Sequence, residues 1–242
     1  MLFRSFPAAL ARSTPARRRQ WYADYIDAMV QRDLRDISRI ASLRTIPKLL
    51  KLAASQTARL INVSDLAAPF QVSRPTIRDY VTLLERIFVV DELQPWHTNR
   101  LKRLVKTPKL HLTDSGLACA LLGITAADLW QDRTMLGQML ETFVYGELRR
   151  QASGVSEPVD FSHYRDKDGA EVDIVIDHVG ARVSGVEVKA SSTVHPTDFR
   201  GLRRLREATG KRFACGVVLY DGEMTVGFGD DMFAVPIAAL WS

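Results

Sequence analysis

The sequence predicts an α+β protein in which a helical region with a winged helix-turn-helix precedes an α/β domain built on a central mixed sheet. Two patterns lead to this expectation. Apolar residues recur at helical spacing between residues 20 and 41 and again between residues 77 and 88. From Met135 onward the pattern changes to a helix, three strands, a helix and a strand, an order typical of a sheet flanked by helices. We therefore expect a helical leader over residues 1–57, the winged helix-turn-helix over 58–125 and the α/β domain over 126–242.

The charge of the chain is divided unevenly between its two halves. Residues 1–110 hold 20 Lys and Arg against 9 Asp and Glu, whereas residues 111–242 hold 13 against 19. A net charge of +11 followed by one of −6 indicates a polyanionic partner for the first half and a different task for the second. The alternative is two solvated surfaces of opposite sign that share no function.

Composition excludes several classes of protein. No apolar run approaches the ~18 residues that a membrane span requires. Only Cys119 and Cys215 occur, too few for a disulfide scaffold or a zinc site, so we expect a reducing, cytoplasmic location. Residues 1–23 hold five arginines and no acid, as a mitochondrial transit peptide does. Because Pro7 and Pro15 interrupt this stretch, a basic leader into the first helix is the favoured interpretation.

Two helices, expected over residues 20–41 and 46–57, lead to a pattern typical of a helix-turn-helix. Asn62 or Ser64 can cap a short helix over residues 64–69, and Ser73 can cap the next helix, with a proline in its first turn. The buried side of that helix is expected to consist of Ile77, Val81, Leu84 and Phe88. The residues left at its N-terminal end, which in a recognition helix meet the DNA groove, are Arg74, Thr76 and Arg78.

A basic stretch between two strands follows this helix and predicts a wing. The strands are expected over residues 88–93 and 110–113. The cations between them are Arg100, Lys102, Arg103, Lys106 and Lys109. Such a tip binds phosphates by charge, which gives affinity and salt dependence without sequence information. We expect the first four of these cations to bind nucleic acid.

The second half of the chain predicts one mixed sheet with flanking helices. Helices are expected over residues 136–151 and 198–208. Strands are expected over residues 159–165, 171–177, 182–189 and 213–220.

Two acidic residues are expected to face each other across a hairpin of this sheet. If the turn is centred on Gly180, cross-strand partners have numbers that sum to 360, which pairs Asp173 with Glu187. Lys189 lies two residues further and on the same face of its strand. Two opposed carboxylates and a lysine form the pattern of a magnesium-dependent phosphodiesterase. The alternative is that Glu187 and Lys189 are edge-strand charges and that Asp173 pairs with an arginine.

Several motifs resemble a known family. Residues 164–173 and 185–191, together with residues 137–141, resemble the C-terminal domain of prokaryotic AAA-type ATP-binding proteins. That domain is catalogued as domain of unknown function 4143 and is similar to PD-(D/E)xK, or restriction-endonuclease-like, nucleases. The resemblance extends over residues 4–240, and it implies that Glu141 lies beside the acidic pair.

The nucleotide-binding motif of that family is absent from the sequence. Its only Gly-Lys pair, Gly210-Lys211, is followed by Arg212, and Leu205 stands where the first glycine of a P-loop belongs. We therefore expect no ATP site in this chain and an ATPase partner supplied by another chain or by an upstream segment. The reading frame before Met1 would distinguish these two.

The leading hypothesis is a nucleic-acid-binding module that docks DNA and delivers it to a nuclease-like domain with Mg²⁺ as cofactor. The expected catalytic residues are Glu141, Asp173, Glu187 and Lys189, and the expected metal ligands are Asp173 and Glu187. Two alternatives remain. One is an interaction or regulatory half of an ATPase whose nuclease fold has lost activity. The other is a metal-dependent nuclease that works without a motor.

Overall fold

The computed structural model describes residues 6–32, 45–96, 107–178 and 182–241. Within these ranges the chain forms nine α-helices and two sheets, so the predicted α+β class with a mixed sheet is confirmed. No helix in them is long and apolar enough to cross a membrane. The chain divides into two compact units, Met1–Glu92 with Leu110–Phe143 and Leu93–Lys109 with Val144–Ser242. The three domain ranges expected from the sequence remain a prediction.

The first unit begins with two helices that each start at a proline. Pro7 and Pro15 occupy first helical positions, where the missing N–H costs nothing and the fixed φ angle favours the helix. Thr14 caps the second helix by accepting a hydrogen bond from the N–H of Arg17. Among the described residues, the first five helices are α1 (Pro7–Leu10), α2 (Pro15–Gln31), α3 (Ile46–Ser55), α4 (Val63–Ala67) and α5 (Arg74–Arg86).

One strand before α4 and two strands after α5 form a small sheet. Its strands are β1 (Arg59–Leu60), β2 (Val90–Leu93) and β3 (Lys109–Leu112), in the spatial order β1-β3-β2. Three helices come next along the chain, α6 (Ser115–Leu122), α7 (Ala126–Gln131) and α8 (Arg133–Ala152). Asp114 and Thr125 cap the first two of these helices through their side-chain oxygens.

The second unit is built on a six-stranded mixed sheet in the order β4-β5-β6-β7-β9-β8. The pairs β4–β5, β5–β6 and β8–β9 are antiparallel, whereas β6–β7 and β7–β9 are parallel. The strands are β4 (Val159–Arg165), β5 (Glu171–His178), β6 (Val183–Lys189), β7 (Phe213–Tyr220), β8 (Val226–Gly227) and β9 (Met232–Pro236).

One helix, α9 (Arg200–Thr209), covers this sheet and fixes the strands that carry the acidic pair. Its Leu202 and Leu205 are fully buried in a core with Val172 and Val218. The approach is close: a Cβ atom on Gly201 would lie 1.8 Å from the backbone oxygen of Glu171. Only glycine fits at this position, because it has no Cβ atom. The backbone of α9 therefore packs directly against the backbone at the beginning of β5.

Candidate functional site

The strand register that the sequence predicts is confirmed. The β5–β6 ladder pairs residues whose numbers sum to 360, which are Ile174 with Val186, Val175 with Gly185, Ile176 with Ser184 and Asp177 with Val183. If this register is extended by one residue beyond Ile174 and Val186, Asp173 is opposite Glu187 and on the same face of the hairpin. At this level the Asp173 Oδ2 atom accepts a 2.9 Å hydrogen bond from the backbone N–H of Val188. The side chain of Asp173 is thereby fixed against the end of β6.

Two lysines contact the three carboxylates at this end of the hairpin. Lys109 Nζ lies 2.8 Å from Glu171 Oε1 and 3.1 Å from Asp173 Oδ1. Lys189 Nζ lies 2.9 Å from Glu187 Oε1, as the shared strand face predicts. We call these five residues, Glu171, Asp173, Glu187, Lys109 and Lys189, the acidic cluster. The alternative interpretation, in which Asp173 pairs with an arginine, is wrong in the identity of the cation, which is Lys109.

Two residues of this cluster, Glu171 and Lys109, were not predicted as site residues from the sequence. The sequence groups Lys109 with the cations of the predicted wing, but its side chain is only 3% exposed and contacts two carboxylates. A cation so enclosed cannot serve as a wing-tip contact to phosphate. The sequence gives only a weak indication that Lys109 is buried, which is its position between a proline and the apolar residues of a strand.

The protonation of Glu187 is strongly perturbed. Burial, together with the charge of Asp173, raises the pKa of Glu187 from 4.5 to about 8, although Lys189 opposes the change. Its Oε2 atom is buried and has no hydrogen-bond partner among the described residues. Burial alone would lower the pKa of Lys189, but the adjacent Glu187 carboxylate raises it above the usual value. The cluster therefore holds one carboxyl oxygen that is available to a proton or a cation.

The donor set fits a hard cation held by few protein ligands. Mg²⁺ prefers carboxylate and water oxygens in an octahedron and keeps several of its waters. Asp173 and the unpartnered oxygen of Glu187 supply two such donors. Within the four described ranges, no group of three or more His, Cys, Asp or Glu side chains is arranged to hold a metal ion. Water or a phosphate would have to complete the shell.

Glu141 belongs to a buried polar network in the first unit. Its Oε1 atom lies 3.8 Å from Nε2 of the fully buried His111. The next residue, Thr142, contacts His111 Nδ1 at 3.2 Å and the hydroxyl of Thr57 at 2.8 Å. Glu141 thus contacts a buried histidine of the first unit. Its catalytic role stays a prediction.

The two helices predicted to form a helix-turn-helix have the expected caps. Asn62 accepts a hydrogen bond from the N–H of Ser64, and Ser73 accepts one from the N–H of Thr76. The predicted interior residues Ile77, Val81 and Leu84 are buried. Phe88 is a correction: it is 81% exposed, because α5 ends at Arg86 and Phe88 adopts a positive φ angle of 59° beyond the helix.

The predicted nucleic-acid contacts differ in their availability. Arg74 is exposed at the start of α5, whereas the Thr76 hydroxyl is 2.7 Å from that of Ser73. Arg78 forms an ion pair with Glu92 and keeps 44% of its side chain exposed. The four remaining cations, Arg100, Lys102, Arg103 and Lys106, lie outside the described residues.

A second feature that the sequence did not reveal anchors the segment before the basic stretch. Trp96 is buried in the core of the second unit, and its indole N–H donates a 3.1 Å hydrogen bond to Asp177. The buried carboxylate of Asp177 also binds Arg212 at 2.6 Å. Backbone hydrogen bonds join residues 94 and 96 to His163. Burial, with a smaller contribution from Lys109, lowers the pKa of His163 to about 4, so its ring is neutral at pH 7.

Family models match both parts of the chain. Residues 1–128 match a family described as domain of unknown function DUF8612, and residues 136–240 match domain of unknown function DUF4143. The first match covers more than half of the chain, which therefore belongs to the DUF8612 family. The second match confirms the expected likeness of the C-terminal part to domain of unknown function 4143.

Curated relatives are uncharacterized and longer than this chain. Proteins of Mycobacterium bovis and Mycobacterium tuberculosis are each 29% identical over 216 residues, which is 89% of this chain and 47% of theirs. The chain thus spans about half the length of these relatives. A structure of Thermococcus gammatolerans McrB AAA+ hexamers with bound McrC aligns at 11% identity, over 79% of this chain and 70% of the other. Its TM-score of 0.32 is too low to assign a fold.

Proposed function

We propose that the chain is a DNA-binding module whose second unit is a PD-(D/E)xK nuclease-like domain that uses Mg²⁺ at Asp173 and Glu187. The observation that carries the proposal is the meeting of these two acids with Lys189 at one end of the β5–β6 hairpin. The Asp173 carboxylate accepts a hydrogen bond from the backbone N–H of Val188, and the Lys189 ammonium group donates one to Glu187. Residues on two adjacent strands of one hairpin thereby form a compact group of the composition that phosphodiester hydrolysis uses.

Each side chain of the group has a distinct part in this proposal. A bound Mg²⁺ would lower the pKa of a water molecule and offset charge on the phosphate. Glu187 presents a buried oxygen, where attraction to a cation is screened less than in bulk water. Asp173 is kept in position by its backbone contact to Val188. The side chain of Lys189 is 34% exposed and so can also reach a water or a phosphate oxygen.

The order of helices and strands over residues 46–112 supports the DNA-binding part of the proposal. Helix α3, strand β1, helices α4 and α5 and strands β2 and β3 follow one another in the order of a winged helix. The sheet order β1-β3-β2 is the one expected of a winged helix. In the sequence the basic stretch lies between β2 and β3, within the Leu93–Lys109 segment that belongs to the second unit. Arg74 is exposed at the start of the proposed recognition helix.

The relation to AAA-type ATPases is likewise a proposal. The motifs at residues 164–173 and 185–191 resemble the C-terminal domain of such proteins, and the curated relatives extend well beyond the segment matched here. We propose that an ATPase motor acts together with this chain and that ATP binds to that motor. A pull-down with the ATPase part of a relative, with and without nucleotide, tests this association.

One observation favours a second candidate, an interaction or regulatory half of an ATPase without catalytic activity. Asp173 and Glu187 already have lysine partners, Lys109 and Lys189. A cluster balanced in this way can be a stable structural element that needs no metal. The cleavage experiment separates the two candidates.

The nuclease proposal is tested by incubating duplex and single-stranded DNA with the wild type in Mg²⁺ and in Mn²⁺. We expect cleavage that EDTA abolishes and that Asp173→Asn reduces at least about 100-fold, since a lost transition-state interaction of 2.7 kcal/mol has that effect. The matched control is Glu207→Gln, a carboxylate of the same unit that is 67% exposed. Cleavage that is equal in all three proteins comes from a contaminant and contradicts the proposal. No cleavage by the wild type favours the interaction module.

DNA binding is tested separately through its salt dependence. If Arg100, Lys102, Arg103 and Lys106 each contact one phosphate, log affinity should fall against log salt with a slope of roughly −3 to −4. Arg103→Ala should flatten the slope by about one unit, whereas Lys211→Ala, an exposed cation of the second unit, should leave it unchanged. A signal that is independent of salt, or no binding at low salt, contradicts the DNA-binding proposal.

A further inference from the structure

Lys109 has an unusual position for a lysine. Its side chain is 3% exposed, and its ammonium group lies within 3.1 Å of one oxygen of Glu171 and one of Asp173. Desolvation disfavours a buried ammonium unless opposite charges and hydrogen bonds compensate. Here two carboxylates provide that compensation. The same oxygens are among those that a divalent cation would use.

The charges around Lys109 divide into two groups. Glu171 is 33% exposed and has a second, longer contact to Arg165 at 3.8 Å. Asp173 and Glu187 are largely enclosed, with 13% and 14% of their side chains exposed. Lys109 contacts Asp173 on its Oδ1 atom, while the Oδ2 atom is bonded to the backbone of β6. Any cation that binds Asp173 and Glu187 together must therefore approach an ammonium group already bound to Asp173.

We propose that Lys109 is an internal counter-ion of the acidic cluster, which occupies the cation position at Asp173 and with which a divalent metal competes. This inference rests on the metal site of the proposed function. Two positive groups at about 4 Å repel each other strongly at the effective dielectric near a protein surface, and the second charge of the metal adds to this repulsion. Lys109 thus keeps the cluster ordered without metal and holds its metal affinity low.

This role differs from that of an ordinary structural ion pair in its effect on metal binding. A structural pair contributes to folding, and its loss changes stability without creating an affinity for metal. A competing counter-ion, when removed, leaves Asp173 without the cation it contacts and takes one positive charge away from Glu171. The variant should then bind metal more tightly and depend on it for stability.

The experiment compares Mn²⁺ binding by the wild type, Lys109→Met and Lys109→Arg, measured by isothermal titration calorimetry and by the loss of the free Mn²⁺ signal in electron paramagnetic resonance. We expect Lys109→Met to bind at least about ten-fold more tightly than the wild type, since the competing charge is gone. Lys109→Arg keeps the charge and should bind as weakly as the wild type. Thermal melts should give a larger rise with Mn²⁺ for Lys109→Met than for the wild type.

The matched control is Arg212→Met, which removes the cation from a buried carboxylate elsewhere in the same unit, Asp177. It also destabilises the fold but should gain no Mn²⁺ affinity. If Lys109→Met is poorly folded alone, refolding it with and without Mn²⁺ gives the same information, and Lys109→Gln is a milder variant. A gain of folded protein only with Mn²⁺ supports the inference.

The outcomes separate this inference from the proposed function. Binding by the wild type with equal affinity in Lys109→Met overturns the counter-ion role and leaves the metal site intact. Binding by neither protein overturns both. Binding by Lys109→Met alone supports the counter-ion role and identifies the wild-type site as one that Lys109 closes to metal.

Discussion

The buried carboxyl of Glu187 makes the stability of the protein depend on pH in a specific direction. Burial and the charge of Asp173 raise its pKa from 4.5 to about 8 in the folded state. The folded protein therefore binds a proton more tightly than the unfolded chain does. The stabilisation is fully present below pH 4.5 and is lost as pH rises through about 8.

The magnitude follows from the two pKa values. Each pKa unit corresponds to about 1.4 kcal/mol, so the interval between 4.5 and about 8 corresponds to at most about 5 kcal/mol at full ionisation. Glu187→Gln keeps the shape of the side chain and removes its titration. The variant should lose this pH dependence and should be more stable than the wild type at pH 9.

The assay is urea denaturation at half-unit steps between pH 5 and pH 9. The free energy of unfolding of the wild type, minus that of Glu187→Gln, should fall by up to about 1.4 kcal/mol per pH unit across the middle of this range. Glu207→Gln, an exposed acid in the same unit, serves as the control and should track the wild type. A difference between wild type and Glu187→Gln that stays constant with pH would refute the reasoning.

Two further predictions concern the packing that holds the site. Gly201→Ala should destabilise the protein by about 3 kcal/mol or more, because the new Cβ atom would lie 1.8 Å from a backbone oxygen of β5. The matched control is Gly137→Ala in α8, where a Cβ atom would have nothing within 4 Å. This control should stabilise the protein by about 0.5–1 kcal/mol. Equal effects of both changes on the urea midpoint would contradict the close approach. Trp96→Phe should cost about 1–3 kcal/mol, because buried Asp177 loses the indole N–H as a donor; a loss below 0.5 kcal/mol in the same assay would count against this contact.

The sheet of the second unit is the part of the fold that the sequence predicts best. Strands β4 and β7 begin and end at the predicted residues, because their β-branched and aromatic runs are bounded by turn-forming residues. The β5–β6 register follows from the position of one turn. Strands β8 and β9 are missing from the prediction. They have two and five residues, and they form through pairing with each other and with β7 rather than through a local pattern.

The candidate site is predictable only where its residues share one hairpin. Asp173, Glu187 and Lys189 follow from strand alternation and register. Lys109 reaches Asp173 from 64 residues earlier in the chain, and Trp96 reaches Asp177 from 81 residues earlier. Such contacts depend on tertiary packing, so no local spacing indicates them. In the sequence Lys109 looks like one more cation of a basic stretch.

The error at Phe88 has a local cause. The apolar periodicity of α5 continues in the sequence through residue 88, which predicts a buried side chain there. The helix ends two residues earlier, and the chain turns through a positive φ angle before β2 begins. Periodicity alone does not indicate where a helix ends, and here no glycine marks the end.

The central claim, that Asp173 and Glu187 form a site for a divalent cation, is tested most directly by thermal melts with and without millimolar Mn²⁺. A free Mn²⁺ concentration of 100 times the dissociation constant stabilises the folded protein by about 2.7 kcal/mol. For a chain of this size, that stabilisation raises the melting temperature by roughly 5–11 °C. Because the wild type is expected to bind Mn²⁺ weakly, its melting temperature should rise by this amount only at the highest Mn²⁺ concentrations. We expect a rise with Mn²⁺ in the wild type that is absent in Asp173→Asn. An equal rise in both proteins, or none in either, would contradict the claim.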